Sequence, residues 1–303
     1  MRQPDLLPDP PANLPEMTRQ TACFEMPSPF GSGAERILLL EPDSASAGEL
    51  RARLLDGSYG RPYVIDDGQW RYLHFDPRLV QSAMRLSAPN ALEVQYTRQM
   101  MSVLLFQPRP RQIVLIGLGG GSLVKFCHGR LPATRLLVLE NNPDVIALRD
   151  LFRIPADGPC LQVLAADGAH HLAGLNREVD VLLVDAFDKE GYAPALAGPD
   201  FFRTAFAALS GNGVLAVNLA GNEEIYAELV ATARDVFDDR VLVVPVHEDD
   251  NQILLAFRAT STEFNWRRLR QLARELRSRY ELDFPGFLDR IERAARRQRA
   301  GQQ

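Results

Sequence analysis

The stretch that decides the fold reads Ile113-Val114-Leu115-Ile116-Gly117-Leu118-Gly119-Gly120-Gly121-Ser122. It opens on a continuously apolar run, of the kind found in parallel strands covered on both faces. Four glycines within five residues follow, and the chain then enters a helical pattern at Leu123–Gly129. Glycines at a strand-to-helix turn let the backbone bend sharply and let a ligand approach it closely. No GK[ST] follows, which excludes a Walker-type phosphate loop. The dinucleotide fingerprint GxGxxG asks for a third small residue where Ser122 stands, so the match to it is imperfect.

Downstream of this loop, strand and helix patterns alternate. Strands are predicted at Ile113–Ile116, Arg135–Leu139, Leu161–Ala165, Val179–Val184, Gly213–Asn218, Val241–Val246 and Gln252–Phe257. Helices are predicted at Leu123–Gly129, Pro143–Phe152, Pro199–Leu209 and Glu223–Val236. The alternation predicts an α/β doubly wound sheet. His247–Asn251 is too short for a crossover helix, so the last two strands should be antiparallel. A parallel sheet ending in an antiparallel hairpin points to a class I methyltransferase-like, Rossmann-like fold.

Upstream, residues 1–35 form a Pro-rich arm without clear period, and residues 36–95 a small β-rich domain. Within that domain, Pro62–Ile65 and Trp70–Phe75 flank Asp66-Asp67-Gly68 and read as a hairpin. Ala91–Phe106 has helical spacing, with Met100, Val103 and Leu104 on one side. The cofactor-binding domain is expected over residues 96–262. Residues 263–303 form an Arg-rich helical tail whose apolar positions, among them Trp266, Leu276 and Phe284, should pack while the arginines stay solvated, the competing reading being a basic patch for nucleic acid or phosphate.

Acids stand after three of the strands, at the carboxyl ends where open α/β sheets place chemistry. Glu140 ends the second strand, 19 residues after Gly121, where a carboxylate can accept both hydroxyl protons of a ribose. NAD and adenosyl-sulfonium sites share that feature. Asp167-Gly168 follows the third strand and can accept from an adenine amino group; Asp is also a good helix N-cap. After the fourth strand stands Asp185-Ala186-Phe187-Asp188-Lys189-Glu190. Carboxylates there can hold an ammonium and accept its proton, a step required before the nitrogen attacks carbon.

Composition narrows the class. The chain has 303 residues, 46% hydrophobic and 24% charged, with a formal net charge of -5. That balance argues against general nucleic-acid binding, which draws on Lys and Arg to neutralise phosphates. Cys23, Cys127 and Cys160 are widely spaced with no CxxC, so neither a metal site nor a disulfide framework is expected. No secretory h-region and no membrane-spanning run is read, so the expected setting is cytoplasmic.

Together these residues resemble the spermidine synthases, the polyamine aminopropyltransferases, over about Gly57 to Phe257. The family glycine loop GGGDGG falls on Gly117–Ser122, its ribose acid on Glu140 and its adenine Asp-Gly on Asp167-Gly168. Its DSSDP motif falls on Asp185–Lys189. The resemblance implies a small N-terminal β domain and decarboxylated S-adenosylmethionine as co-substrate, held by Gly117, Gly119, Gly121, Glu140, Asp167 and Gly168. It implies a small-molecule amine such as putrescine as acceptor, Asp188 as proton acceptor, Asp185 as its neighbour and amine anchor, Tyr96 and Gln81 in the substrate site, and a homodimer. Departures are Gly120 for the loop Asp, Ser122 for the last Gly, Gly60 for a Gln, Tyr96-Thr-Arg-Gln-Met100 for YxEM, and Ala186, Phe187 and Lys189 within DSSDP. A methyltransferase using intact S-adenosylmethionine, a non-catalytic nucleoside-binding protein and a nicotinamide enzyme are the competing readings.

Overall fold

The computed structural model describes residues 23–31, 33–188, 191–192, 194–220, 223–247, 250–259 and 264–301. An N-terminal antiparallel sheet comes first. It comprises β1 (Phe24–Pro27), β2 (Arg36–Leu39), β3 (Tyr63–Asp66), β4 (Trp70–Asp76) and β5 (Leu79–Arg85), in that spatial order, with helix α1 (Ala47–Leu55) inserted after β2. The Asp-Gly hairpin falls between β3 and β4, where Ile65 faces Tyr72. Phe24–Pro27, which the sequence reading leaves in the arm, pairs antiparallel with β2. Its partner lies a turn further along the chain, so only tertiary pairing turns this Pro-flanked segment into a strand.

The second sheet contains β6 (Gln112–Ile116), β7 (Arg135–Glu140), β8 (Leu161–Ala165), β9 (Val179–Val184), β12 (Leu209–Leu219), β13 (Val241–Pro245) and β14 (Gln252–Phe257). A short pair, β10 (Phe187–Asp188) with β11 (Gly191–Tyr192), stands apart from it. The order is β13-β14-β12-β9-β6-β7-β8. The β6, β7, β8, β9 and β12 neighbours pair in parallel, while β14 runs antiparallel to both β12 and β13. The expected final hairpin is present, and its second strand slots between β12 and β13.

Strand alternation divides the core. Ile113 and Leu115 of β6 join one cluster, and Val114 and Ile116 join the opposite one. The first face is covered by α3 (Ser122–Arg130), by α8 (Trp266–Tyr280) and by α9 (Phe284–Gly301). The second is covered by α5 (Gly168–Leu172), α6 (Pro199–Ala208) and α7 (Glu223–Val236). Leu276, Tyr280, Phe284, Leu288 and Ile291 of the tail are buried in the first cluster, as its amphipathic spacing predicts.

Two predicted helices are shorter than the sequence suggests. The helix expected from Pro143 to Phe152 is regular only over α4 (Pro143–Ala147), whose Asn142 cap accepts from the Asp144 amide at 3.0 Å. The segment expected from Ala91 to Phe106 is α2 (Gln95–Met100) tightened into a 3-10 turn over Met101–Leu105. Met100, Val103 and Leu104 are nonetheless buried there, so the apolar period was real. The two sheets are tied by Arg61, whose guanidinium grips the Asp144 carboxylate through two bonds of 2.9 and 2.8 Å. Arg71 reaches from β4 to the Leu151 carbonyl at 2.5 Å.

Candidate functional site

A cavity of about 1090 Å³ opens where the carboxyl ends of β6, β7 and β9 meet the β4–β5 hairpin and α2. Its wall includes Gly117 and Gly119, together with Glu140, Asp167-Gly168 and Asp185 from the ends of the neighbouring strands. Tyr96 and Gln81 line it too, so the structure gathers most of the residues singled out in the sequence. Gly121 does not line the cavity. It sits at φ 67 as the N-cap of α3, and a Cβ there would run into the Ile154 side chain.

The glycine loop has a steric reason. Gly117 adopts φ 96, and any Cβ there would run into the backbone carbonyl of Asp185. The loop therefore passes tightly over the end of β9. Gly120 is different. A Cβ there would stand 2.9 Å from the Ser82 Cβ and 3.0 Å from the Phe152 ring. The space that a carboxylate side chain would need is filled, and the Gly120 amide donates to Ser82 Oγ at 2.9 Å.

Glu140 is buried, and each carboxylate oxygen accepts a backbone amide, from Leu118 and Asn142, both at 2.8 Å. These bonds fix its direction and leave lone pairs for two further donors. Burial pushes its carboxyl up, while the amides of Asn142, Leu118 and Asn141 pull it down. Asp167 caps α5 by accepting the His170 amide on Oδ1 at 2.7 Å, so the capping role is filled by one oxygen while the residue still lines the cavity.

The most organised part of the site lies around Asp185. Asn218 donates through Nδ2 to its Oδ1 at 2.9 Å, and the Tyr96 hydroxyl donates to its Oδ2 at 3.2 Å. Asn251 in turn donates to Asn218 Oδ1 at 2.9 Å. Burial pushes the Asp185 carboxyl above the ordinary carboxylate value, and the bonds from Asn218 and Tyr96 oppose the shift. Asp188 belongs to the short β10–β11 pair, opposite Gly191; its side chain lies outside the described residues, as do Lys189 and Glu190.

Asn218, Asn251 and Ser82 are site residues that the sequence reading misses. A signal for Asn218 existed: it is a lone amide at the carboxyl end of the otherwise apolar run Val214-Leu215-Ala216-Val217, where function collects. For Ser82, on an exposed hairpin of the other sheet, no local pattern marks the role.

No family model matches the chain. A polyamine aminopropyltransferase of Neisseria meningitidis serogroup A is 37% identical over 240 residues, covering 78% of this chain and 91% of the relative. Another from Chromobacterium violaceum is 34% identical over 230 residues, covering 76% of this chain and 88% of the relative. Among solved structures, a probable spermidine synthase from Corynebacterium glutamicum superposes with a TM-score of 0.59 at 18% identity, covering 71% of this chain and 84% of that one.

Proposed function

The chain belongs to the polyamine aminopropyltransferase family, and from that premise we propose that it transfers an aminopropyl group from decarboxylated S-adenosylmethionine to a small amine in the cavity around Asp185. It is a transferase. The observation that carries the assignment of the site is the Tyr96–Asp185–Asn218 arrangement, which faces the same cavity as the glycine loop and Glu140.

The residues fit the nucleoside half of the co-substrate. Bare backbone at Gly117 and Gly119 admits close approach, Glu140 presents fixed lone pairs to ribose hydroxyls, and the second oxygen of Asp167 can accept from an adenine amino group. The sulfonium supplies a leaving group that departs as a neutral thioether, so the transfer needs no metal. The protein's task is to hold the amine in line with the adjacent methylene carbon and to take its proton. The ammonium first gives up one proton to the base; the free amine then forms the C–N bond as the C–S bond breaks, and the thioether leaves with the electron pair.

The sequence reading gives that proton to Asp188. The environment of Asp185 supports giving it to Asp185 instead, because its carboxyl is raised by burial and held in direction by two donors. Asp188 then serves as a second acid that attracts the cationic amine. Gln81 and Tyr96 complete the amine end. Three free cysteines support a reducing, cytoplasmic setting. A homodimer is what the family resemblance implies; Leu79 and Val80, 57% and 54% exposed on the edge strand β5, themselves line the cleft.

The deciding assay incubates purified protein with putrescine and either decarboxylated or intact S-adenosylmethionine, and follows 5′-methylthioadenosine and spermidine by mass spectrometry. Both products from the decarboxylated form alone support the reading. A methylated amine with S-adenosylhomocysteine from the intact form would replace it with methyl transfer.

A further inference from the structure

A second cavity lies away from the cleft. It has a volume of about 590 Å³ and lies between the end of α7, the edge strand β13 and α9. Its described wall carries four arginines, Arg234, Arg290, Arg293 and Arg297, beside His247, and no acidic residue. Arg290, Arg293 and Arg297 share one face of α9 through spacings of three and four residues, while Leu288, Ile291 and Ala295 bury the opposite face.

Other arginines of this chain find acids. Arg270 and Arg296 both bridge Glu292 at 2.6 Å, and Arg130 bridges Glu281 at 2.8 Å. The four around the cavity make no salt bridge among the described residues. Arg290 spends its Nε on the neutral Gln99 Oε1 at 2.8 Å, and Arg293 spends its own on the Asp289 backbone carbonyl at 3.1 Å. The paired terminal nitrogens of both have no protein acceptor among the described hydrogen bonds. Burial and the neighbouring Arg293 disfavour the charge of Arg290, while Asp283 and Asp289 favour it without a salt bridge to it among the described residues. Like charges converging on one concavity, with no acid among its described lining residues, are unfavourable unless an anion completes them.

We propose that this cavity binds a small, multiply charged phosphate ligand, a di- or triphosphate group. Guanidinium forks match phosphate oxygens in pairs and stay charged at all working pH values. The volume lies within the range of about 300–1,000 Å³ typical of small-ligand sites. A bounded concavity on a chain of net charge -5 suits a compact anion better than a nucleic-acid strand.

Calorimetric titration of the full chain with inorganic triphosphate, at constant ionic strength, tests the proposal. Saturable binding is expected, weakened at least ~10-fold in the Arg293→Gln/Arg297→Gln double variant. Both positions are exposed, so the melting temperature and the turnover without triphosphate should stay unchanged. Absence of saturable binding, equal affinity in the double variant, or equal binding of sulfate would each overturn the site. Tighter binding of single-stranded RNA than of triphosphate would also overturn it, in favour of a strand-binding face.

Discussion

The Tyr96 hydroxyl donates to Asp185 Oδ2 at 3.2 Å across 89 positions of sequence, joining α2 to the end of β9. With Oδ1 held by Asn218, the carboxylate cannot rotate freely. A fixed acceptor beside the glycine loop is the arrangement that the proposed proton-coupled attack on carbon would use, because orientation as well as acidity sets the rate.

Replacing Asp185 by Asn should lower turnover by about 10²–10⁴-fold, the usual worth of a positioned base. Binding of decarboxylated S-adenosylmethionine, read by calorimetry, should change little. Asp188→Asn should chiefly raise KM for the amine. The reverse pattern, with turnover lost at Asp188 and kept at Asp185, returns the base role to Asp188.

Tyr96→Phe keeps the ring and removes the donor. A drop of about tenfold in kcat/KM is expected, from the loss of one hydrogen bond to a charged group. The acid limb of the pH profile should move upward, because one of the bonds that lowers the Asp185 carboxyl is gone.

The raised Asp185 carboxyl also sets a sign for stability. Between its ordinary value of 3.8 and the higher folded value, the native chain holds more protons than the unfolded one. Stability therefore falls as pH rises through that window and is level above it. Glu140 acts in the same direction. Urea denaturation from pH 4 to 8 should show a shallower fall in Asp185→Asn than in the parent chain.

Lys125 works oppositely. It is 2% exposed, donates to the Phe152 carbonyl at 2.8 Å, and burial lowers its ammonium from 10.5 to about 8. Between those values the unfolded chain holds more protons, so stability should rise with pH from about 8 to 10.5. Lys125→Met should abolish that rise and add about 1–3 kcal/mol at pH 7, less what the lost bond to Phe152 contributed.

Gly120→Asp, which restores the residue that the resemblance expects, should not improve amine binding. Its Cβ collides with Ser82 and Phe152, so a loss of about 1–3 kcal/mol from overpacking is expected in thermal melts. A gain in amine affinity with unchanged stability would show that the pocket can open there.

Much of this protein was determined by its sequence alone. Continuous apolar runs at Ile113–Ile116 and Val179–Val184, alternating with helical stretches, read as strands buried on both faces, and a five-residue link after Val246 is too short for anything but an antiparallel return. The glycine run and Glu140 declare a ligand turn because their chemistry is local: backbone freedom in one case, an acid at a strand end in the other. Tertiary structure decided what depends on segments far apart in the chain. Asn218 and Tyr96 hold Asp185 only because β12, β9 and α2 converge. Phe24–Pro27 becomes a strand only because β2 lies beside it. Gly120 lacks room for a carboxylate only because Ser82 and Phe152 arrive from two other elements. A close approach between distant segments leaves no periodicity in either one, which is why the support around the acids had to come from the fold.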